Sequence, residues 1–209
     1  MGRPGPPIDT NQLTAWRSAL QPATETETDL DIATRKLVRA DVKRRYVSDL
    51  RKRHLAKIFQ FPEPGESVHI VSSGRHDYFS FVPLVLEHMT AETDYFGSTW
   101  TMNRATCLEL FDLFDAGKLK SIAMLTGLYF KQREPAVYAT LVDGLADRGQ
   151  RYRAAKNHAK VMLFSDGACN ITIEGSANFT NNPRIEQNTV TNDPTLYAFH
   201  RKWMEELLP

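Results

Sequence analysis

The residues with the clearest chemical potential stand in the C-terminal third: His158-Ala159-Lys160, then Gly175-Ser176-Ala177-Asn178, then Glu186. Residues two apart on a strand share a face, so His158 and Lys160 are expected to point the same way. Asp166-Gly167 is a strong turn signal and predicts a hairpin joining Val161–Ser165 to Asn170–Glu174. The hairpin would bring Ser176 and Asn178 back beside the first pair. One imidazole, one ammonium, one amide and one hydroxyl would then surround a small space. The ammonium neutralises phosphate oxygens, the amide donates hydrogen bonds to them, and the hydroxyl does the same or holds a neighbour. A carboxylate such as Glu186 can bind one imidazole nitrogen and leave the other free to attack. Charge developing on phosphorus would be met by fixed donors, without a metal or other cofactor.

Such a site needs elements to hold it. From Ser67 onward the chain alternates. VHIVSSG (68–74) is a β-rich run ending in turn residues. HDYFSFVPLVLEHM (76–89) reads as helical, with Pro83 as a kink or early break. TDYFGSTW (93–100) reads as a strand. Asn103 caps a helix with Leu108, Phe111 and Phe114 on its apolar face, closed by Gly117. LKSIAMLTGL (119–128) reads as a buried strand. Pro135 opens a helix carrying Val137, Tyr138, Leu141 and Leu145 and ended by Gly149. After Gly149 come short strand-like segments, RYRAAKN, HAKVMLFSDG, NITIEGSAN and IEQNTVTN. Asp193-Pro194 then opens a last helix with Leu196, Trp203, Met204 and Leu207 inward and Tyr197 and Phe199 as further core. The rhythm predicts an α/β fold, a mixed and mostly parallel sheet flanked by helices. There is no internal repeat, so a two-fold arrangement would need a second chain.

H-A-K followed by E-G-S-A-N-F-T resembles the HKD motif of the phospholipase D superfamily, H-x-K, four residues, Asp, then G-S-x-N. The G-S-x-N-F-T form and the downstream Glu186 are similar to the small bacterial nucleases of that superfamily. The resemblance covers about residues 158–190. Two departures stand out: the acid, Asp166, lies five residues after Lys160, and the motif occurs once where the family's site needs two. The displaced acid belongs near the hairpin turn in the family, away from the reacting phosphorus. A single motif implies a homodimer with both motifs at its interface. The resemblance further implies that one His158 attacks phosphorus to give a phosphohistidine. The other His158 protonates the leaving oxygen and then activates water. An H-x-K triplet alone arises by chance in about one chain of this length in four to five. The ordered set on a hairpin is what gives it weight.

The 209 residues, 42% of them hydrophobic, suffice for one sizeable core. The formal net charge of +1 names no partner by itself. Its distribution is uneven, however. Ten Lys and Arg fall between Arg35 and Lys57, against Asp41 and Asp49. Arg35, Lys36, Arg39, Lys43, Arg44, Arg51 and Lys52 are the candidate nucleic-acid contacts, with DNA placed ahead of RNA. The expected organisation is a loose segment (1–28), a basic helical arm (29–62) and the catalytic domain (63–209). No apolar run reaches the roughly 18 residues that span a membrane. The N-terminus lacks the apolar core of a signal peptide, so a soluble cytoplasmic protein without membrane contact is expected. Cys107 and Cys169 form no C-x-x-C pair and read as two buried thiols. Ser72–Asp77 reads as a strand-end turn and helix cap, Gly97-Ser98-Thr99 as a turn that lines a cleft if the fold is right. His54, His69, His88 and His200 show no metal spacing. The expected function is a metal-independent phosphodiesterase, a nuclease first. A catalytically inactive nucleic-acid-binding module and a phospholipid-cleaving enzyme are the alternatives.

Overall fold

A computed structural model describes residues 53–72, 76–90, 92–180 and 184–209. Seven strands, β1 (Ser67–Ser72), β2 (Thr93–Ser98), β3 (Leu119–Gly127), β4 (Arg151–Ala155), β5 (Val161–Ser165), β6 (Asn170–Gly175) and β7 (Glu186–Asn192), form one sheet in the order β1-β7-β6-β5-β2-β3-β4. The expected α/β class with a mixed sheet is what forms. β2, β3 and β4 pair in parallel, and the other four pairings are antiparallel. Five strands nevertheless run the same way, with only β5 and β7 reversed.

Both faces of the central strands are buried, which is why those strands read as nearly continuous apolar runs. Alternate residues go to opposite sides. Tyr95, Ile122, Met124, Met162 and Phe164 enter the larger core. Phe96, Ala123, Leu125, Val161 and Leu163 enter the smaller one. Helices α1 (Phe81–Leu86), α2 (Arg104–Asp115), α3 (Phe130–Arg133) and α4 (Pro135–Asp147) contribute to the larger core, and α5 (Pro194–Leu207) closes the smaller. Leu55, in the helical stretch 53–58, is fully buried in the larger core, with Phe59 and Phe61 packed against it.

The caps follow the sequence. Asn103 Oδ1 accepts from Thr106 N at 2.9 Å to start α2, and Asp193 does the same for α5 through Thr195 N at 2.6 Å. Asp77 caps a short 3-10 turn at Tyr78–Ser80 that leads into α1. Pro83 falls within the first turn of α1, where a missing N–H costs nothing, and the helix ends early, at Leu86.

Two inward faces differ from expectation. On α2 the buried residues are Thr106, Cys107, Leu110 and Phe111, while Leu108 is 45% exposed. On α5 the inward residues are Tyr197, His200 and Met204, whereas Phe199 and Leu207 face solvent and Leu196 is half-buried. His200 takes an apolar-looking position because its polar atoms are satisfied: Nε2 meets Glu174 Oε1 at 3.1 Å, and Trp203 Nε1 donates to Nδ1 at 3.0 Å. Cys107 is buried, with its thiol pushed up to about 12 by burial, but Cys169 is only half-buried. No helix among the described residues is long and apolar enough to cross a membrane.

Candidate functional site

The site sits at the carboxyl ends of β1, β2, β3, β4 and β6, where β5 and β7 begin. Open α/β sheets characteristically bind ligands at this end. His158 and Lys160 lie there, but not on a strand as expected. They belong to an extended segment, 157–160, that leads into β5. This segment is fixed by side chains instead of a ladder. Asn157 Oδ1 accepts from Ala159 N at 3.0 Å, and its Nδ2 donates to Ser98 Oγ at 2.9 Å and to the Thr99 carbonyl at 3.3 Å. Ser98 Oγ in turn donates to the Ala159 carbonyl at 3.1 Å. The end of β2 therefore holds the loop that carries the imidazole. Among the described residues Asn157 and Ser98 are the main positioning groups that sequence reasoning missed. The one available signal was an Asn directly before the H-x-K triplet, a residue type that readily bonds its own backbone two residues on.

Within that segment Lys160 Nζ lies 2.8 Å from His158 Nδ1 and donates to the His158 carbonyl at 2.5 Å. The imidazole is exposed and the lysine is buried at 8% exposure. Burial draws the Lys160 pKa down, opposed by the negative charge of Glu186. The two motif halves meet through backbone. Gly175 N donates to the Lys160 carbonyl at 3.0 Å. The fully buried Tyr78 hydroxyl donates to the carbonyls of Lys160 (3.1 Å) and Ile173 (2.8 Å), tying both halves from beneath. Burial holds the Tyr78 pKa well above its ordinary value, so the group stays a neutral donor.

This close packing explains the glycine of G-S-A-N. A Cβ at Gly175 would come within 2.6 Å of both Tyr78 Cε2 and Asn188 Oδ1. Ser176 follows, exposed, with Oγ donating to Glu186 Oε2 and accepting from Gln187 N at 3.1 Å. The described partner of His158 Nδ1 is Lys160, and Glu186 engages Ser176, which holds a neighbour as its type allowed. Asn178 is half-buried, and its buried Oδ1 has no hydrogen-bond partner among the described residues. Phe179 behind it is fully buried, and Met102 and Phe179 form an isolated bridge.

Trp100 completes the site from the parallel side. Its ring centroid is 5.8 Å from that of His158, and Arg133 Cζ lies 5.1 Å from its ring. The indole rests against Gly127, where a Cβ would collide with Trp100 Cδ1 at 2.3 Å. Gly97 and Ser98 instead close β2, and Ser98 and Thr99 are fully buried: they hold the His158 loop from beneath, and the cleft wall begins at Trp100. Asp166 lies at the opposite end of the hairpin. Its carboxylate accepts from Thr90 N and Oγ1, Ala168 N and Cys169 N at 2.8–3.0 Å. Partial burial raises its pKa, but those bonds outweigh that, and the net direction is down. Arg35, Lys36, Arg39, Lys43, Arg44, Arg51 and Lys52 lie outside the described residues.

Against known proteins, no family model matches the sequence and no curated protein sequence matches it. Solved structures do match. Over 68% of this chain and 94% of the other, the fold resembles Nuc, a phospholipase D family member from Salmonella typhimurium, with a TM-score of 0.51 and 16% identity. It also resembles polyphosphate kinase from Porphyromonas gingivalis, with a TM-score of 0.54 and 15% identity over 75% of this chain. The matched region is only 28% of the kinase chain. The chain therefore shares the fold of a phospholipase D family member.

Proposed function

We propose that this chain is a metal-independent phosphodiesterase, a nuclease, that works as a homodimer with two copies of His158, Lys160, Ser176, Asn178 and Glu186 in one site. The observation that carries the reading is the pairing of Lys160 Nζ with His158 Nδ1 at 2.8 Å, at the ligand-binding end of the sheet. An ammonium there neutralises phosphoryl oxygens beside the imidazole.

The chemistry runs in two balanced steps. Nε2 of one His158 attacks phosphorus, forming an N–P bond as the P–O bond to the leaving group breaks. His158 of the second copy gives its Nε2 proton to the leaving oxygen. Water then attacks phosphorus, losing a proton to that second imidazole, and the first histidine departs. The nucleophile is a neutral ring with its lone pair on Nε2, and the acid is an imidazolium that becomes the neutral base for the water step.

The homodimer is supported by surface apolarity. Among the described residues, Val71, Leu128, Tyr129 and Ile185 are four of the eight large exposed hydrophobics, and all four flank the site end of the sheet. They fall as two pairs, Val71 with Ile185 at the β1–β7 edge and Leu128 with Tyr129 after β3, and exposed apolar residues at this end suit an interface. The basic arm is read as the nucleic-acid contact, DNA ahead of RNA, through Arg35, Lys36, Arg39, Lys43, Arg44, Arg51 and Lys52. The test is cleavage of labelled DNA and RNA after EDTA treatment, by wild type and His158→Ala. The expected result is EDTA-resistant cleavage by a dimer, lost by at least about a thousandfold in the variant. Binding without cleavage under any condition would favour the inactive nucleic-acid-binding module.

A further inference from the structure

A cleft of about 370 Å³ opens beside the proposed reacting groups, between the loop after β2, the junction of α3 with α4, and the residues Asn178, Thr180 and Arg184. Trp100, Arg133, Glu134, Asn178 and Arg184 line it. We propose that this cleft is a second phosphate subsite, which holds the phosphate next to the scissile one in a polynucleotide strand through Arg133 and Arg184. The inference rests on the phosphodiesterase reading and adds what the substrate must carry beyond one diester.

Three features converge on it. The volume lies near the lower end of small-ligand sites, roughly 300–1,000 Å³, and suits about one monomer unit. Two guanidiniums against one carboxylate leave the walls net positive, and guanidinium is the group whose planar fork matches phosphate. Arg133 is also held in place: its guanidinium lies over Trp100, whose other neighbour is the His158 ring. One indole therefore separates the flanking charge from the nucleophile. Asn178 joins the two subsites. It lines the cleft, and its buried Oδ1 has no hydrogen-bond partner among the described residues. Its amide ends are interchangeable, so either faces the ligand. A lone diester reaches only the His158–Lys160 end. A nucleic-acid strand continues into the cleft and places its next charge between the arginines.

The test compares two substrates in one preparation. Bis(p-nitrophenyl) phosphate has a single diester, and a short fluorescein-labelled oligodeoxynucleotide has flanking phosphates. In Arg133→Gln the ratio of kcat/KM for the oligonucleotide to that for the diester is expected to fall about tenfold, and Arg133→Lys to recover part of it. Arg184→Gln, at an exposed position, gives the same direction should Arg133→Gln fail to fold. A ratio that does not move in either Gln variant overturns the subsite. Turnover of neither substrate by wild type instead overturns the phosphodiesterase reading. The subsite is then still decided by affinity: His158→Ala with Arg133→Gln should bind the oligonucleotide about tenfold more weakly than His158→Ala alone, and with a shallower salt dependence. Equal affinities would overturn it.

Discussion

The two halves of the sheet build the site in different ways. On one side, the segments that lead into β5, out of β6 and into β7 carry the proposed reacting groups within a run of fewer than thirty residues. On the other, the parallel strands β2, β3 and β4 supply the frame: Ser98 and Thr99 hold the His158 loop, and Trp100 and Arg133 wall the cleft. Hairpins keep neighbours in sequence close in space. Parallel strands need long crossovers, so their contributions arrive from far along the chain. Chemistry concentrated in the first half and positioning in the second means that the halves should respond differently to substitution.

The largest effect is expected in the hairpin half. Gly175→Ala forces a methyl into Tyr78 and Asn188. Overpacking of this kind costs about 1–3 kcal/mol, and here it also displaces Ser176, so denaturant midpoint and turnover should fall together. A fully stable, fully active variant would remove the claim that the two motif halves are clamped there. An intermediate effect is expected across the divide. Ser98→Ala removes a fully buried hydroxyl that joins Asn157 Nδ2 to the Ala159 carbonyl. Two polar groups lose a partner, a cost of about 1–3 kcal/mol, concentrated on the His158 loop. Turnover should drop about tenfold while diester binding changes little. A fall in turnover no larger than the fall in folded fraction, read by circular dichroism at the assay temperature, would point to general unfolding instead.

The smallest effect is expected at the far end of the hairpin. Asp166 has a depressed folded-state pKa, so its contribution is present above the unfolded value near about 3.9 and is lost as pH falls through the folded value. Asp166→Asn should therefore lower stability slightly at neutral pH, and the gap from wild type should close in acid, while turnover stays the same. Urea melts across that pH range provide the check. A large loss of turnover would show that the displaced acid reaches the chemistry after all.

The same division explains what the sequence made legible. His158, Lys160, Gly175, Ser176, Asn178 and Glu186 could be read because a hairpin turns linear spacing into proximity. The strands and helix caps could be read because Asn103, Pro135 and Asp193 act locally. Asn157 and Ser98 could not, since their partnership joins residues some sixty positions apart. The same holds for Tyr78, whose hydroxyl reaches Lys160 and Ile173 across the core. Helix faces were legible only where polarity and burial coincide. His200 breaks that rule because Glu174 and Trp203 satisfy it, and that pairing turns α5 so that Phe199 faces out.

The central claim is that His158 forms a covalent bond to phosphorus. The direct measurement is quenching of EDTA-treated protein during turnover in alkaline denaturant, since the N–P bond of a phosphohistidine is acid-labile, followed by peptide mass mapping without an acid step. A phosphoryl-linked adduct on the peptide containing His158, absent from His158→Ala, is the predicted result. Active turnover with no adduct at His158, or with the adduct on another residue, would contradict it.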